Sequence, residues 1–140
     1  MNLIFFPFER VLEINIFILE HEPGMKGAAD INKLQGALGR VDNAIAYSGL
    51  DDVFEIAAKY VASIALSHSL PDANKRTGLA VGLEYLSLND FELTADNELF
   101  ADAVRDLVIG AIDESDFADL LYSQYAAEQD NNGTHLPASG

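Results

Sequence analysis

His68-Ser69-Leu70-Pro71-Asp72-Ala73-Asn74-Lys75-Arg76-Thr77 (HSLPDANKRT) separates two helical patterns and decides how the chain is read. Before it, Ala57, Val61, Ile64 and Ala65 recur at helical spacing from a start at Asp52, and the pattern reaches about His68. After it, a helix opens near Asn74 and runs through Leu79, Leu83 and Leu86 to Leu88. Pro71 bars the first helix from continuing into the second, so the stretch is a loop that feeds a helix N-terminus. Backbone N–H groups at such a start lack partners and point outward, which suits phosphate. Lys75 offers a point charge and Arg76 a planar fork for phosphate oxygens, and Asn74 can donate an amide hydrogen. Asp72 is a hard oxygen ligand of the kind that holds Mg²⁺ together with substrate phosphates. His68 can accept a proton from a hydroxyl at neutral pH.

Taken singly, each residue has a plain explanation. A histidine in line with Ile64 and Ala65 is ordinarily hydrogen-bonded and partly buried, Asp72 suits a turn or cap, and Lys75-Arg76 suits a solvated surface. Their conjunction at fixed offsets is expected by chance on the order of 10⁻³ in a chain of this length. Base, cation ligand and anion clamp within nine residues make a phosphoryl- or nucleotidyl-transfer kit.

Outward from the loop the chain reads as helix after helix. Phe8 to His21 carries Val11, Leu12, Ile14, Phe17 and Ile18, and Pro23-Gly24 stops it. Ile31, Leu34, Leu38, Val41 and Ile45 recur at spacings of three and four, with Gly36 and Gly39 on or near that face to permit close packing. Ser48-Gly49 breaks the chain, and Asp52 with Glu55 forms a carboxylate variant of the capping box. Asn89-Asp90 turns into a short extended piece, Phe91-Glu92-Leu93. A helix follows from Asp96 with Phe100, Ala103, Leu107 and Val108 inward. Ser115 or Asp116 caps the last one, which carries Phe117, Leu120, Leu121 and Tyr125. These patterns predict one all-α domain over residues 1–129 with about six helices, room for a small β-hairpin flap, and a flexible tail over residues 130–140.

The 140 residues include 23 acidic and 8 basic side chains, a net charge of -15. That field repels phosphate, so neither direct nucleic-acid binding nor an anionic membrane surface is expected. With no cysteine there is no disulfide, thiolate–metal site or cysteine nucleophile. The apolar start, Met1 to Phe8, is brief, lacks a basic head and is followed by Glu9 and Glu13, so a cytoplasmic protein is expected. Two of the eight basic residues, Lys75 and Arg76, are adjacent at a helix start. An anion must therefore be held locally, against the global field.

HSLPDANKRT resembles the signature of the Fic/Doc superfamily, and its Ala-Asn-Lys-Arg-Thr portion resembles the death-on-curing (Doc) branch. Pro23-Gly24-Met25, Gly39-Arg40-Val41, Ala46-Tyr47 and Asp52-Val53-Phe54-Glu55 extend the likeness over about residues 10 to 127. The resemblance implies a helical Fic fold and a toxin of a toxin–antitoxin pair. ATP would be the substrate and Mg²⁺ the cofactor, with His68 as general base, Asp72 as metal ligand, and Asn74, Lys75 and Arg76 on the nucleotide phosphates. For the Doc branch it implies a protein Ser/Thr kinase acting on a translation factor, elongation factor Tu. An antitoxin helix would lie in an apolar groove that the sequence does not locate.

Two other outcomes follow from the same residues: AMP transfer, as in most Fic relatives, or a weakened interaction module that keeps the fold. Lys75, where AMP-transferring relatives carry glycine, and Leu79, where many carry a second arginine, favour the kinase. Leu70 replaces the usual phenylalanine anchor of the loop, which motivates the weakened module. Glu22 to Asp30 aligns with the family's flap, His21 and His135 are surface residues without ligand spacing, and Tyr47 is expected to pack.

Overall fold

Six α-helices follow one another in the computed structural model, which describes residues 6–94 and 97–133. They are α1 (Phe8–His21), α2 (Ile31–Tyr47), α3 (Val53–Ala65), α4 (Asn74–Leu88), α5 (Asn97–Val108) and α6 (Glu114–Gly133). No strand occurs among the described residues, so the segment between α1 and α2 crosses as irregular backbone and not as a hairpin. The predicted helix start at Asp96 and His135 lie outside the described residues. α6 continues through Asp130 to Gly133.

α3 is the centre of the fold. Of its side chains only Glu55 and Lys59 escape burial, and Ile56, Ala57, Ala58, Tyr60, Val61 and Ile64 are fully enclosed. A helix that is apolar all round must be surrounded, and α2, α4, α5 and α6 all pack on it. Phe54 at its start meets Phe91 and Tyr122 edge-on, which holds the segment after α4 and the last helix against its N-terminal end.

The tightest partner of α3 is α4, and glycine is the reason. A Cβ at Gly78 would lie 2.8 Å from the Val61 carbonyl oxygen, and one at Gly82 would lie 2.5 Å from Val61 Cγ2. The buried face of α4 is therefore Thr77, Gly78, Val81, Gly82, Tyr85 and Leu86. This differs from the leucine stripe read in the sequence. Leu79 and Leu83 are only half-buried, because close backbone approach on the glycine side turns them away from α3. The expected close packing at Gly36 and Gly39 is absent, since a Cβ at either would meet nothing within 4 Å.

Aspartates start three of the helices. Asp30 accepts from the Lys33 N–H, and Asp52 Oδ1 accepts from the N–H groups of Phe54 and Glu55. α6 opens one turn earlier than Ser115 or Asp116 would require. Asp113 accepts from the Asp116 N–H and Asp116 reaches back to the Asp113 N–H, a reciprocal cap. Tyr47 does not pack: it ends α2 with 86% of its surface exposed.

Candidate active site

The loop between α3 and α4 begins earlier than the apolar pattern suggested. α3 stops at Ala65, and the Ser67 hydroxyl donates to the Ile64 carbonyl at 2.7 Å. That bond takes a carbonyl the helix would need to continue. His68 then turns the chain at φ 51, so it sits past the helix and not in line with Ile64 and Ala65. Its side chain is exposed and makes no hydrogen bond to any described residue. Ala73, at φ 61, closes the other end of the loop. Left-handed backbone at two non-glycine residues costs on the order of 1–3 kcal/mol each and persists only where neighbours over-determine it.

Those neighbours are identifiable. Leu70 is 5% exposed and plugs the loop into the core. Asn74 holds it there from both sides: its Oδ1 accepts the Leu70 N–H at 3.1 Å, and its Nδ2 donates to the Leu70 carbonyl at 3.2 Å. The carboxamide assigned to phosphate from the sequence is thus engaged in closing the loop. Ser69, buried, shares a hydrogen bond with Ser67 and accepts the Asp30 N–H on its carbonyl at 2.6 Å.

Asp72 and Arg76 lie together on the open side. Asp72 Oδ1 accepts the Ala73 N–H at 2.7 Å and Oδ2 accepts the Met25 N–H at 2.8 Å. The Met25 and Ala73 N–H groups, with help from the nearby Arg76 charge, hold its carboxyl below the usual carboxylate range. Arg76 donates through Nη1 to Glu22 Oε1 at 2.7 Å and through Nη2 to the Pro23 carbonyl at 3.1 Å. Both functional groups therefore touch the same short segment after α1. Gly24 makes that approach possible, since a Cβ there would lie 2.6 Å from Leu19 Cδ2 and 3.3 Å from Asp72 Oδ2.

The start of α4 has no side-chain cap, because its N-cap residue is Ala73. The first-turn N–H groups of Asn74, Lys75 and Arg76 are left facing outward beside the exposed Lys75 side chain. An aspartate such as those starting α2, α3 and α6 would fill this anion site from within. Beside Arg76 runs a groove of about 390 Å³ with Ile18, Leu79, Ala80 and Leu83 on its walls and Glu22 at its edge. Here the two leucines turned away from α3 find their surface.

The sequence reading missed Asn15 and the pairing of Glu22 with Arg76. Asn15 is buried on α1 and reaches the loop; its only signal was a polar residue interrupting the apolar run Ile14 to Leu19. The sequence marks Glu22 only as the start of the flap; its pairing with Arg76 gave no signal, because the partner is 54 residues away.

An anion cradle with two cationic side chains at an uncapped helix start, flanked by an exposed imidazole and a carboxylate on one strained loop, defines a Fic-type site on an all-α scaffold. The chain belongs to the Fic/DOC family, whose model matches residues 5–86. It is similar to the protein kinase doc of Escherichia phage P1, with 34% identity over 106 residues that span 76% of this chain and 83% of that protein. No helix among the described residues is long and apolar enough to cross a membrane.

Proposed function

We propose that this chain is a Doc-like toxin that transfers the γ-phosphate of ATP to a hydroxyl of a target protein and arrests growth. The observation that carries the reading is the uncapped start of α4 with Lys75 and Arg76 on it, beside the exposed His68. The similarity to a relative named as a protein kinase supports phosphate over AMP as the transferred group.

In this reading the target hydroxyl donates its proton to the imidazole of His68 as its oxygen attacks the γ-phosphorus. The bond to the β-phosphate oxygen breaks and ADP leaves. Arg76 and the first-turn amides of α4 take up phosphate charge, and Lys75 adds a mobile positive point. Asn74 and Leu70 act on phosphate indirectly, by fixing the loop. The donor set suits Mg²⁺: Asp72 stays ionised, and each oxygen keeps a lone pair beyond its one N–H bond. Among the described residues no three acidic or imidazole side chains converge as a cation cage, so the ion would arrive with the nucleotide. Bound there, Mg²⁺ would neutralise phosphate charge.

The partner this reading requires is a cognate antitoxin. An amphipathic helix fits the groove along Ile18, Leu79 and Leu83, and seated there it would cover Arg76. A translation factor such as elongation factor Tu is the target class proposed. Expression in a host tests the catalytic part. The wild-type chain should arrest growth, and His68→Ala should abolish the arrest while leaving the protein folded. Arrest that persists unchanged in His68→Ala would leave binding alone as its cause.

A further inference from the structure

We propose that Asn15 is a positioning residue that sets the spacing between Asp72 and Arg76. The inference deepens the phosphate-transfer reading and rests on it only where nucleotide is concerned. Asn15 sits in the apolar face of α1, 3% exposed, among Ile14, Ile18 and Leu19. Its one amide nitrogen donates to the Asp72 carbonyl at 2.9 Å and to Thr77 Oγ1 at 3.1 Å. Thr77 is itself completely buried. The two acceptors bracket the segment that carries the metal carboxylate, the left-handed Ala73, the uncapped helix start and the phosphate arginine.

A buried polar side chain in an apolar helix face is a cost unless its hydrogen bonds are made. Here both donor hydrogens go to the functional loop, one on each side of it. Across the open side Asp72 and Arg76 are held by the exposed flap residues Glu22, Pro23 and Met25, whereas Asn15 holds the same segment from the core. The segment thus has one contact set that can exchange with solvent or ligand and one that cannot. When the flap contacts give way to phosphate, the inner tie remains to keep the two charged groups in register. Geometry kept by such supporting bonds is what oxygen-ligand and anion sites depend on.

The test has two arms, both on the full chain. In the first, amide exchange by NMR is measured without nucleotide in Asn15→Leu and in Thr77→Val, which keeps the shape but removes the Oγ1 acceptor. The Ala73 and Thr77 amides should exchange about 10-fold faster in Asn15→Leu, and less so in Thr77→Val, while Ile56 in α3 keeps its protection. In the second, Mg²⁺–ATP binding is measured by calorimetry. Asn15→Leu should weaken it by about 10-fold. Asn89→Ala, which removes a comparable buried amide bond to the Tyr85 carbonyl at the far end of α4, should leave it unchanged. Loop amides that exchange as in wild type, or amides that accelerate uniformly through the whole chain, would overturn the proposal. So would equal loss of binding in Asn15→Leu and Asn89→Ala. If the wild type itself binds no Mg²⁺–ATP, the phosphate-transfer reading falls, and the exchange arm alone decides the role of Asn15.

Discussion

Glu22 places a carboxylate oxygen 2.7 Å from Nη1 of Arg76, so the arginine of the anion cradle is engaged by the chain's own flap. Both side chains are substantially exposed, at 40% and 49%, and such a pair is worth ~0–1 kcal/mol. It is therefore weak enough to be displaced by a polyphosphate, which makes more and stronger contacts. Glu22→Gln should tighten nucleotide binding by about 2- to 5-fold, consistent with removing a competitor worth at most ~1 kcal/mol. Calorimetry with ATP against the wild type checks it, and no change would mean that the pair does not compete with ligand.

Gly24→Ala should loosen the same flap. The added Cβ meets Leu19 Cδ2 at 2.6 Å and presses on Asp72 Oδ2 at 3.3 Å, so the flap is pushed off Asp72. Because the flap is exposed, thermal stability should fall by less than ~1 kcal/mol. The Met25 amide, which donates to Asp72, should change its NMR chemical shift, and its solvent exchange should quicken.

Gly78→Ala probes the fold, not the site. Alanine gains ~1 kcal/mol of helix propensity over glycine. The Val61 carbonyl at 2.8 Å is backbone of the central helix and cannot step aside. Overpacking at such a position costs ~1–3 kcal/mol, so the net change should be a lower melting temperature. Gly36→Ala, with open space around it, should do the reverse.

These contrasts show how much was legible in the residues. The loop, its two flanking helices and the roles open to His68, Asp72, Lys75 and Arg76 could be read because they lie within nine residues and each type has few chemical uses. The inward face of α4 could not. Hydrophobicity favours Leu79 and Leu83, but the face was chosen by how closely two backbones approach, which depends on Val61. Asn74 reads as a phosphate donor, but that its carboxamide also closes the loop on the Leu70 backbone is not visible in the sequence. Glu22–Arg76 and Asn15–Asp72 are long-range pairs, and local periodicity carries no record of them.

Acid should release the flap late. Asp72 is held below its ordinary value of 3.8, chiefly by the Met25 and Ala73 N–H groups. A carboxyl whose folded value is depressed stabilises the fold above its unfolded value, and that contribution is lost as pH falls through the folded value. In an NMR titration the Asp72 carboxyl carbon should therefore turn at a pH below 3.8, and the Met25 amide should move with it. Titration of Asp72 at or above its ordinary value would contradict the two hydrogen bonds.

Alkali should strike the core instead. Burial raises the Tyr60 and Tyr85 hydroxyls, the latter to about 12. A raised acid contributes its stability below the unfolded value and loses it as pH rises through the folded one. Spectroscopic titration above the ordinary value of 10.0 should show these two tyrosines ionising late, together with loss of helical circular dichroism.

The central claim is tested most directly by incubating the purified chain with a lysate and with ATP labelled in either the γ- or the α-phosphate, in Mg²⁺. Label should pass to a protein only from the γ position, and His68→Ala and Arg76→Ala should each stop it. Transfer from the α position would replace phosphate by AMP as the group moved, and transfer of neither label would contradict catalysis by this loop.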